Sequence, residues 1–265
     1  MTINFSKYHG TGNDFVLLNG FEQLIPELSQ AVIARICDRH RGVGADGLII
    51  LRPDEGLADF KMDYYNADGN LGSMCGNGGR SAVQFAREVG IVSTSTMEFT
   101  AFDGLHSAAF RGDNLVELKM APAGSIESIS SKDWFTDTGS PHVVRLLPDT
   151  DKINVVEEGR KIRYSKFFEP GGTNVNFVSF RDREIQVRTY ERGVENETLS
   201  CGTGVVASAL VVSKILARHG EFHIQTKGGK LEVTISPDRK DISLIGPAVK
   251  VFEGEINLEG AWAIV

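Results

Sequence analysis

The spacing of apolar and polar positions divides the chain into a few helices and many short strands. Ser29 to His40, "SQAVIARICDRH", sets Val32, Ile33, Ile36 and Cys37 on one helical face and ends in basic residues suited to a helix C-terminus. Gly76 to Gly90, "GNGGRSAVQFAREVG", turns Ala82, Val83, Phe85, Ala86 and Val89 mostly inward and stops at a glycine. Gly202 to Gly220, "GTGVVASALVVSKILARHG", is apolar on nearly every side until its basic last turn, the pattern of a buried helix. Between these, "GLIIL", "DFKMDYY", "NLVELKM", "NFVSF", "IQVRTY", "KLEVTI" and "DISLI" are short, β-branched or alternating runs bounded by turn residues, and predict strands. Many strands with few helices indicate an α+β fold with each long helix wrapped by sheet.

The pattern also repeats. "TGNDFV" from Thr11 matches "TGSPHVV" from Thr138, "YNADG" from Tyr65 matches "YERG" from Tyr190, Cys75 matches Cys201, and Thr100 matches Thr226. Gly47 falls opposite Asn174 in the same frame, and Gly90 opposite Gly220 with a longer helix between. Matches in one order at nearly one offset indicate a duplicated unit. Two similar α/β halves related by a pseudo-twofold axis are expected, with a ligand site in the cleft between them.

The duplicated feature with chemistry in it is Cys-Gly-X-Gly, "CGNG" at Cys75 and "CGTG" at Cys201, each opening a helix. A sulfur beside a helix N-terminus meets exposed N–H groups and the positive dipole end, which favour a thiolate. An ordinary thiol titrates near about 8.5, so lowering it by about 1.5 units brings one sulfur to half ionisation at neutral pH. Two such thiols lining one site oppose each other's ionisation and rest as one thiolate and one thiol, a base and an acid. That pair is equipped to invert a stereocentre, one sulfur removing a proton and the other delivering one to the opposite face. A redox couple would show Cys-X-X-Cys, a nucleophile would leave the second frame unexplained, and a metal site would need further close ligands. Cys37, on an apolar helix face, reads as a buried hydrophobe.

Composition narrows the partners without naming a reaction. The chain has 265 residues, 41% of them apolar and 24% charged, the balance of a globular protein with a sizeable core. A net charge of −7 argues against nucleic acid or an anionic membrane as the main partner. The longest apolar run, Val205 to Leu216, is too short for a bilayer and is broken by Ser208, Ser213 and Lys214. The first residues lack a signal-peptide pattern, and three cysteines fit reduced thiols, so a cytoplasmic location is expected. No phosphate loop, dinucleotide fingerprint or pyridoxal phosphate lysine site is evident, so no cofactor and no metal are expected.

At "KYHGTGNDF", "DRHRGVGADG", "YYNADGN", "MCGNGGR", "TGSPHVV", "GGTNVNFV" and "TYERGVENETLSCGTG" the chain resembles the diaminopimelate epimerases, almost end to end. The resemblance implies two pseudo-symmetric α/β domains, each a twisted, mainly antiparallel sheet or barrel around a central helix. With the last strand returning to the first domain, the assignment is 1–119 plus 254–265 and 120–253. It implies pyridoxal-phosphate-independent interconversion of LL- and meso-diaminopimelate, in lysine and peptidoglycan precursor biosynthesis, by a homodimer. Cys75 and Cys201 would be acid and base. The amides of Gly76, Asn77, Gly202 and Thr203 would hold the carboxylate on the reacting carbon. Asn13 and Glu191 would lie near the reacting amino group, and Asn66, Asn174 and Arg192 would recognise the distal amino-acid end. His142 would sit beside the thiols and tune their protonation. Gly47 stands where many members carry Gln, Ser140 where the usual motif has Asn, and "GVENET" alters the stretch before Cys201. A proline-type racemase with the same two thiols, and a non-catalytic amino-acid binder, remain the alternative readings.

Overall fold

The computed structural model describes residues 1–72, 74–112 and 114–258. The chain falls into two compact units, Met1–Leu118 with Pro247–Val265, and Lys119–Gly246.

In the first unit, β1 (Thr2–Gly10) and β2 (Asn13–Asn19) form a hairpin whose two-residue turn, Thr11-Gly12, has φ of 50° and 86°. Positive φ at both central positions gives the turn the twist of the flanking strands. The chain crosses through α1 (Gln30–Cys37) to β3 (Gly47–Arg52), parallel to β2, and turns back as β4 (Phe60–Asn66). Helix α2 (Gly76–Glu88) leads to β5 (Thr96–Ala101), parallel to β4, and β6 (Gly104–Phe110) and β7 (Leu115–Met120) follow antiparallel.

In the second unit, β8 (Glu127–Ser128) and β9 (Asp133–Asp137) precede β10 (Pro141–Leu146), which is antiparallel to β9. Helix α3 (Val155–Arg163) crosses to β11 (Asn174–Arg181), parallel to β10, and β12 (Glu184–Glu191) returns antiparallel. After β13 (Asn196–Thr198), α4 (Gly202–Leu216) leads to β14 (Gly220–Thr226), parallel to β12, then β15 (Gly229–Ile235) and β16 (Ile242–Pro247). The last strand, β17 (Val249–Asn257), belongs to the first unit and pairs with β1 from His9↔Val249 to Thr2↔Asn257, so the return starts before residue 254. The result is a sheet-rich α+β fold with one long buried helix in each unit.

The duplication is visible in the strand register. Phe15 pairs with Gly47 where His142 pairs with Asn174, and both 142 − 15 and 174 − 47 are 127. Phe60 pairs with Phe99 where Ile185 pairs with Ile224, and both 185 − 60 and 224 − 99 are 125.

The sequence of β2 and β3 is apolar without alternation because both sheet faces are covered. Val16, Leu18, Leu48 and Ile50 pack with Ile33 and Ile36 of α1. Phe15 and Ile49 point the other way, where their ring and methyl would lie 3.5 and 3.4 Å from a Cβ at Gly78 of α2. In the second unit Val144, Val178 and Val187 pack under Val205, Val206 and Leu210 of α4, while Val175, Phe177 and Tyr190 pack under Val155 of α3. Burying each such side chain contributes about 1.5–3 kcal/mol. Eleven of the thirteen residues of α2 are buried, so it is held from all sides.

The helices differ from expectation at their ends. Helix α1 stops at Cys37 because Asp38 turns its carboxylate onto the His40 and Arg41 N–H groups, both at 2.8 Å, so Arg39 and His40 lie outside it. Helix α2 ends at Glu88, with Gly90 at φ 76° beyond it. Helix α4 ends at Leu216 through Ala217 in the left-handed region, and Gly220 already begins β14. Helix α3 has no counterpart among the predicted elements: its apolar stripe is short, and its start rests on Asn154 accepting from Glu157 N–H at 3.2 Å. Its Gly159 is required because a Cβ there would lie 2.4 Å from that of Tyr190. Among the described residues no helix is long and apolar enough to cross a membrane.

Candidate active site

Cys75 and Cys201 hold the same place in their units. Each is the N-cap of the buried helix, with extended backbone (φ −107°, ψ 125° and φ −118°, ψ 113°). The following glycines let the chain enter the helix against packed neighbours: a Cβ at Gly79 would lie 2.8 Å from Met74 Cε, and one at Gly204 2.3 Å from Asn176 Oδ1. The helix N–H groups at Gly76-Asn77 and Gly202-Thr203 are those left without intrahelical acceptors, the type of site that receives a carboxylate.

In the first unit the Thr11-Gly12 turn delivers Asn13 to Cys75. Asn13 Nδ2 donates to Asp46 Oδ2 at 2.6 Å, which directs its Oδ1 at Asn77 Nδ2 (3.2 Å) and at the Cys75 sulfur (3.6 Å). A protonated Cys75 therefore has an acceptor. Asn77 is oriented in turn by Arg80, whose Nη2 donates to Asn77 Oδ1 at 2.9 Å. Asp46 is tied to Arg39 at 2.8 Å, and Arg39 and Lys7 both pair with Asp14. Asn66, at the end of β4, is exposed and accepts from the Tyr64 hydroxyl at 3.1 Å.

In the second unit a buried chain of hydrogen bonds ends at Cys201, and its directions follow from one carbonyl. Asn176 reaches the Val143 carbonyl at 3.1 Å, so the atom there is the amide nitrogen. The same nitrogen faces His142 Nδ1 at 3.1 Å, while Asn176 Oδ1 accepts from Thr189 at 2.9 Å. His142 Nδ1 is thus the acceptor, its proton sits on Nε2, and Nε2 donates to Thr203 Oγ1 at 2.9 Å. The Thr203 hydroxyl also lies 3.5 Å from the Cys201 sulfur, a contact in which either partner can donate. Burial, and secondarily the Arg192 charge, push the His142 pKa down to about 3, so the imidazole stays neutral.

A second cluster gathers Asn174, Ser140 and Arg192. Asn174 Nδ2 donates to Ser140 Oγ at 2.9 Å and its Oδ1 accepts from the Arg192 N–H at 2.8 Å. The guanidinium reaches Ser140 Oγ at 3.5 Å and Gly171 O at 3.4 Å. Serine at 140 therefore bridges two residues expected at the distal end. Glu191 ends β12, half-buried, opposite Asn196.

The two halves differ at matched positions. Phe15 stands where the second unit has His142, and Arg80, five residues after Cys75, stands where it has Val206. Arg80, Asn176 and Tyr64 are site neighbours that sequence reasoning does not single out. Arg80 carries a signal, being a charged residue between the glycines and the apolar stretch Ala82 to Ala86 of a helix that turns mostly inward. Asn176 carries one too, since a polar residue facing inward inside "NFVSF" has to find a partner. Cys37 is buried, which pushes its thiol up to about 12 and leaves it inert.

The sequence profile of the family described as diaminopimelate epimerase matches residues 5–125 and 134–251. The chain is 43% identical to a protein named diaminopimelate epimerase from Flavobacterium psychrophilum, over 94% of this chain and 98% of that one. It is 38% identical to one of the same name from Aquifex aeolicus, over 97% and 99%. Among solved structures, a phenazine biosynthesis protein of the PhzF family from Bacillus anthracis superposes with a TM-score of 0.77 at 16% identity, covering 97% of this chain and 99% of that one. A probable proline racemase from Agrobacterium radiobacter gives 0.70 at 18%, covering 97% and 93%. At those identities the likeness is one of fold.

Proposed function

The chain belongs to the diaminopimelate epimerase family, and we propose that it interconverts LL- and meso-diaminopimelate with Cys75 and Cys201 as paired acid and base. The observation that carries the mechanism is the repeated placement of a cysteine at the N-cap of a buried helix, in two units of shared strand register.

The chemistry follows from that placement. The thiolate form of one sulfur takes the α-proton, and the C–H electron pair moves toward the carboxylate as enolate-like charge. The N–H groups of Gly76-Asn77 and Gly202-Thr203 stabilise that charge as it grows. The other sulfur, protonated, gives its proton to the opposite face of the carbon. The two thiols end the turnover with protonation states exchanged, so the reverse reaction uses them in opposite roles. The reading requires both sulfurs to address one α-carbon. Asn13 and Glu191 hold the reacting amino group, and Asn66, Asn174 and Arg192 the distal amino-acid end, with the Arg192 fork suited to a carboxylate. His142, neutral and joined to Cys201 through Thr203, supports the ionised sulfur without adding charge.

The test is incubation with LL-diaminopimelate in heavy water. The expected result is deuterium at the α-carbon and appearance of the meso form with no added cofactor; retained protium and unchanged configuration would reject the proposal. A homodimer is the proposed assembly, to be checked by sedimentation. The cytoplasm is the proposed compartment because oxidised sulfurs do not transfer protons; fractionation tests it.

A further inference from the structure

Among the described residues Arg80 is the largest fully buried side chain, with 0% exposure. Its Nη groups donate to neutral oxygens: Asn77 Oδ1 at 2.9 Å, Gly76 O at 3.2 Å and Thr11 Oγ1 at 3.4 Å. Its Nε has no partner. Among the described residues no carboxylate pairs with it. A guanidinium stripped of water and given only neutral acceptors is an uncompensated buried charge, an arrangement that is strongly unfavourable unless an anion balances it.

The carboxylates on the elements packed around α2 are committed elsewhere. Asp14 of β2 pairs with Lys7 and Arg39, Asp46 before β3 with Arg39 and Asn13, and Glu88, at the far end of α2, with Tyr8 and Gln84. His9 of β1 accepts from the Gly12 N–H. The acidic residues of β17, Glu253 and Glu255, are exposed. What remains is Cys75, five residues before Arg80 and next to Gly76 and Asn77, the two residues that accept from the guanidinium; a thiolate there raises the Arg80 pKa against the effect of burial. Burial lowers the Arg80 pKa to about 10, so it stays cationic at neutral pH. The matched position in the second unit is Val206, and Cys201 meets the neutral Thr203 hydroxyl instead.

We propose that Arg80 is the counter-ion of the Cys75 thiolate, a positioning residue that favours the ionised sulfur through its buried charge and, through Asn77, aims Asn13 at the protonated one. The proposal rests on the two-thiol reading and deepens it. The halves prepare their thiolates by different means, a cation for Cys75 and a neutral hydrogen-bond chain for Cys201.

The experiment is a pH titration of thiolate ultraviolet absorbance in the Cys201→Ala protein. Cys37, held up to about 12, is silent there, so the signal belongs to Cys75. The midpoint is expected below the ordinary thiol value of about 8.5. Arg80→Lys, which keeps the charge, should hold it within about half a unit, and Arg80→Gln should raise it by about 1–2 units. A midpoint at or above the ordinary value, in the Cys201→Ala protein itself, overturns the proposal even if neither Arg80 variant folds. So does a folded Arg80→Gln protein with an unshifted midpoint. Deuterium exchange by the unmodified chain is run beside it: failure there rejects the epimerase reading, while the titration judges Arg80 alone.

Discussion

The ring of Tyr64 occupies the space that a side chain at position 47 would need. A Cβ at Gly47 would lie 2.6 Å from Tyr64 Cε2 and 2.6 Å from the Tyr65 carbonyl oxygen, and the other edge of the ring lies 2.5 Å from a Cβ at Gly72. The tyrosine is slotted between two glycines, edge-to-face with Phe15 at 6.0 Å between ring centres, with its hydroxyl on Asn66. Gly47→Ala is therefore expected to destabilise the fold by about 1–3 kcal/mol through overpacking. Pairing it with Tyr64→Ala should recover part of that loss in a double-mutant cycle by denaturant melts; additive losses would show that the ring is not the obstacle.

Removing either sulfur should stop inversion without unfolding the chain. Cys75→Ala and Cys201→Ala are each expected to lower kcat by about 10²–10⁴-fold or more, the range for a general acid or base. Circular dichroism checks the fold and polarimetry the rate. Activity surviving in either variant would remove that residue from the chemistry.

Arg192 should act on binding more than on turnover. Losing a charge-assisted contact to a carboxylate costs about 1.5–3 kcal/mol, so Arg192→Ala is expected to raise KM by about 10–100-fold. Arg192→Lys should recover only part of it, because an ammonium lacks the fork. An unchanged KM would separate Arg192 from substrate recognition.

His142 should stay uncharged with its proton on Nε2. Its pKa is lowered from 6.5 to about 3 by burial, so the unfolded chain binds a proton that the folded one refuses. The stability this group supplies is complete above about 6.5 and declines as pH falls toward 3. Imidazole nitrogen shifts in NMR report both points, and a midpoint near 6.5 would contradict them.

Asp14 makes the corresponding prediction for a carboxylate. Burial raises its pKa, but the hydrogen bonds and charges of Arg39 and Lys7 outweigh that and bring it from 3.8 down to about 2. The stability it supplies is present above about 3.8 and lost as pH falls through 2. Asp14→Asn, which leaves buried Lys7 without its partner, is expected to cost about 2–4 kcal/mol at neutral pH and much less near pH 2. Urea melts across pH measure the difference.

Much of this architecture is written locally. The seven anticipated strands appear as β3, β4, β7, β11, β12, β15 and β16, because alternating and β-branched runs keep their pattern when paired. The long helices appear because α4 is apolar on nearly every side and α2 carries an apolar stripe through Ala82, Val83, Phe85 and Ala86. What the pattern hides is decided by individual side-chain hydrogen bonds and by distant residues. Helix α1 ends where the Asp38 carboxylate turns back, and α3 forms on a polar stretch whose Gly159 is shaped for Tyr190. The site divides the same way. The paired cysteines are visible as a repeated frame, whereas the proton His142 offers Thr203 depends on the Val143 carbonyl acting through Asn176.

The exchange of Phe15 for His142, and of Arg80 for Val206, means that one scaffold has been given two different trades. A chain assembled from two copies of the first unit would carry a guanidinium under each sulfur, and one assembled from the second would carry none. The same residue therefore begins each buried helix in two chemically different surroundings.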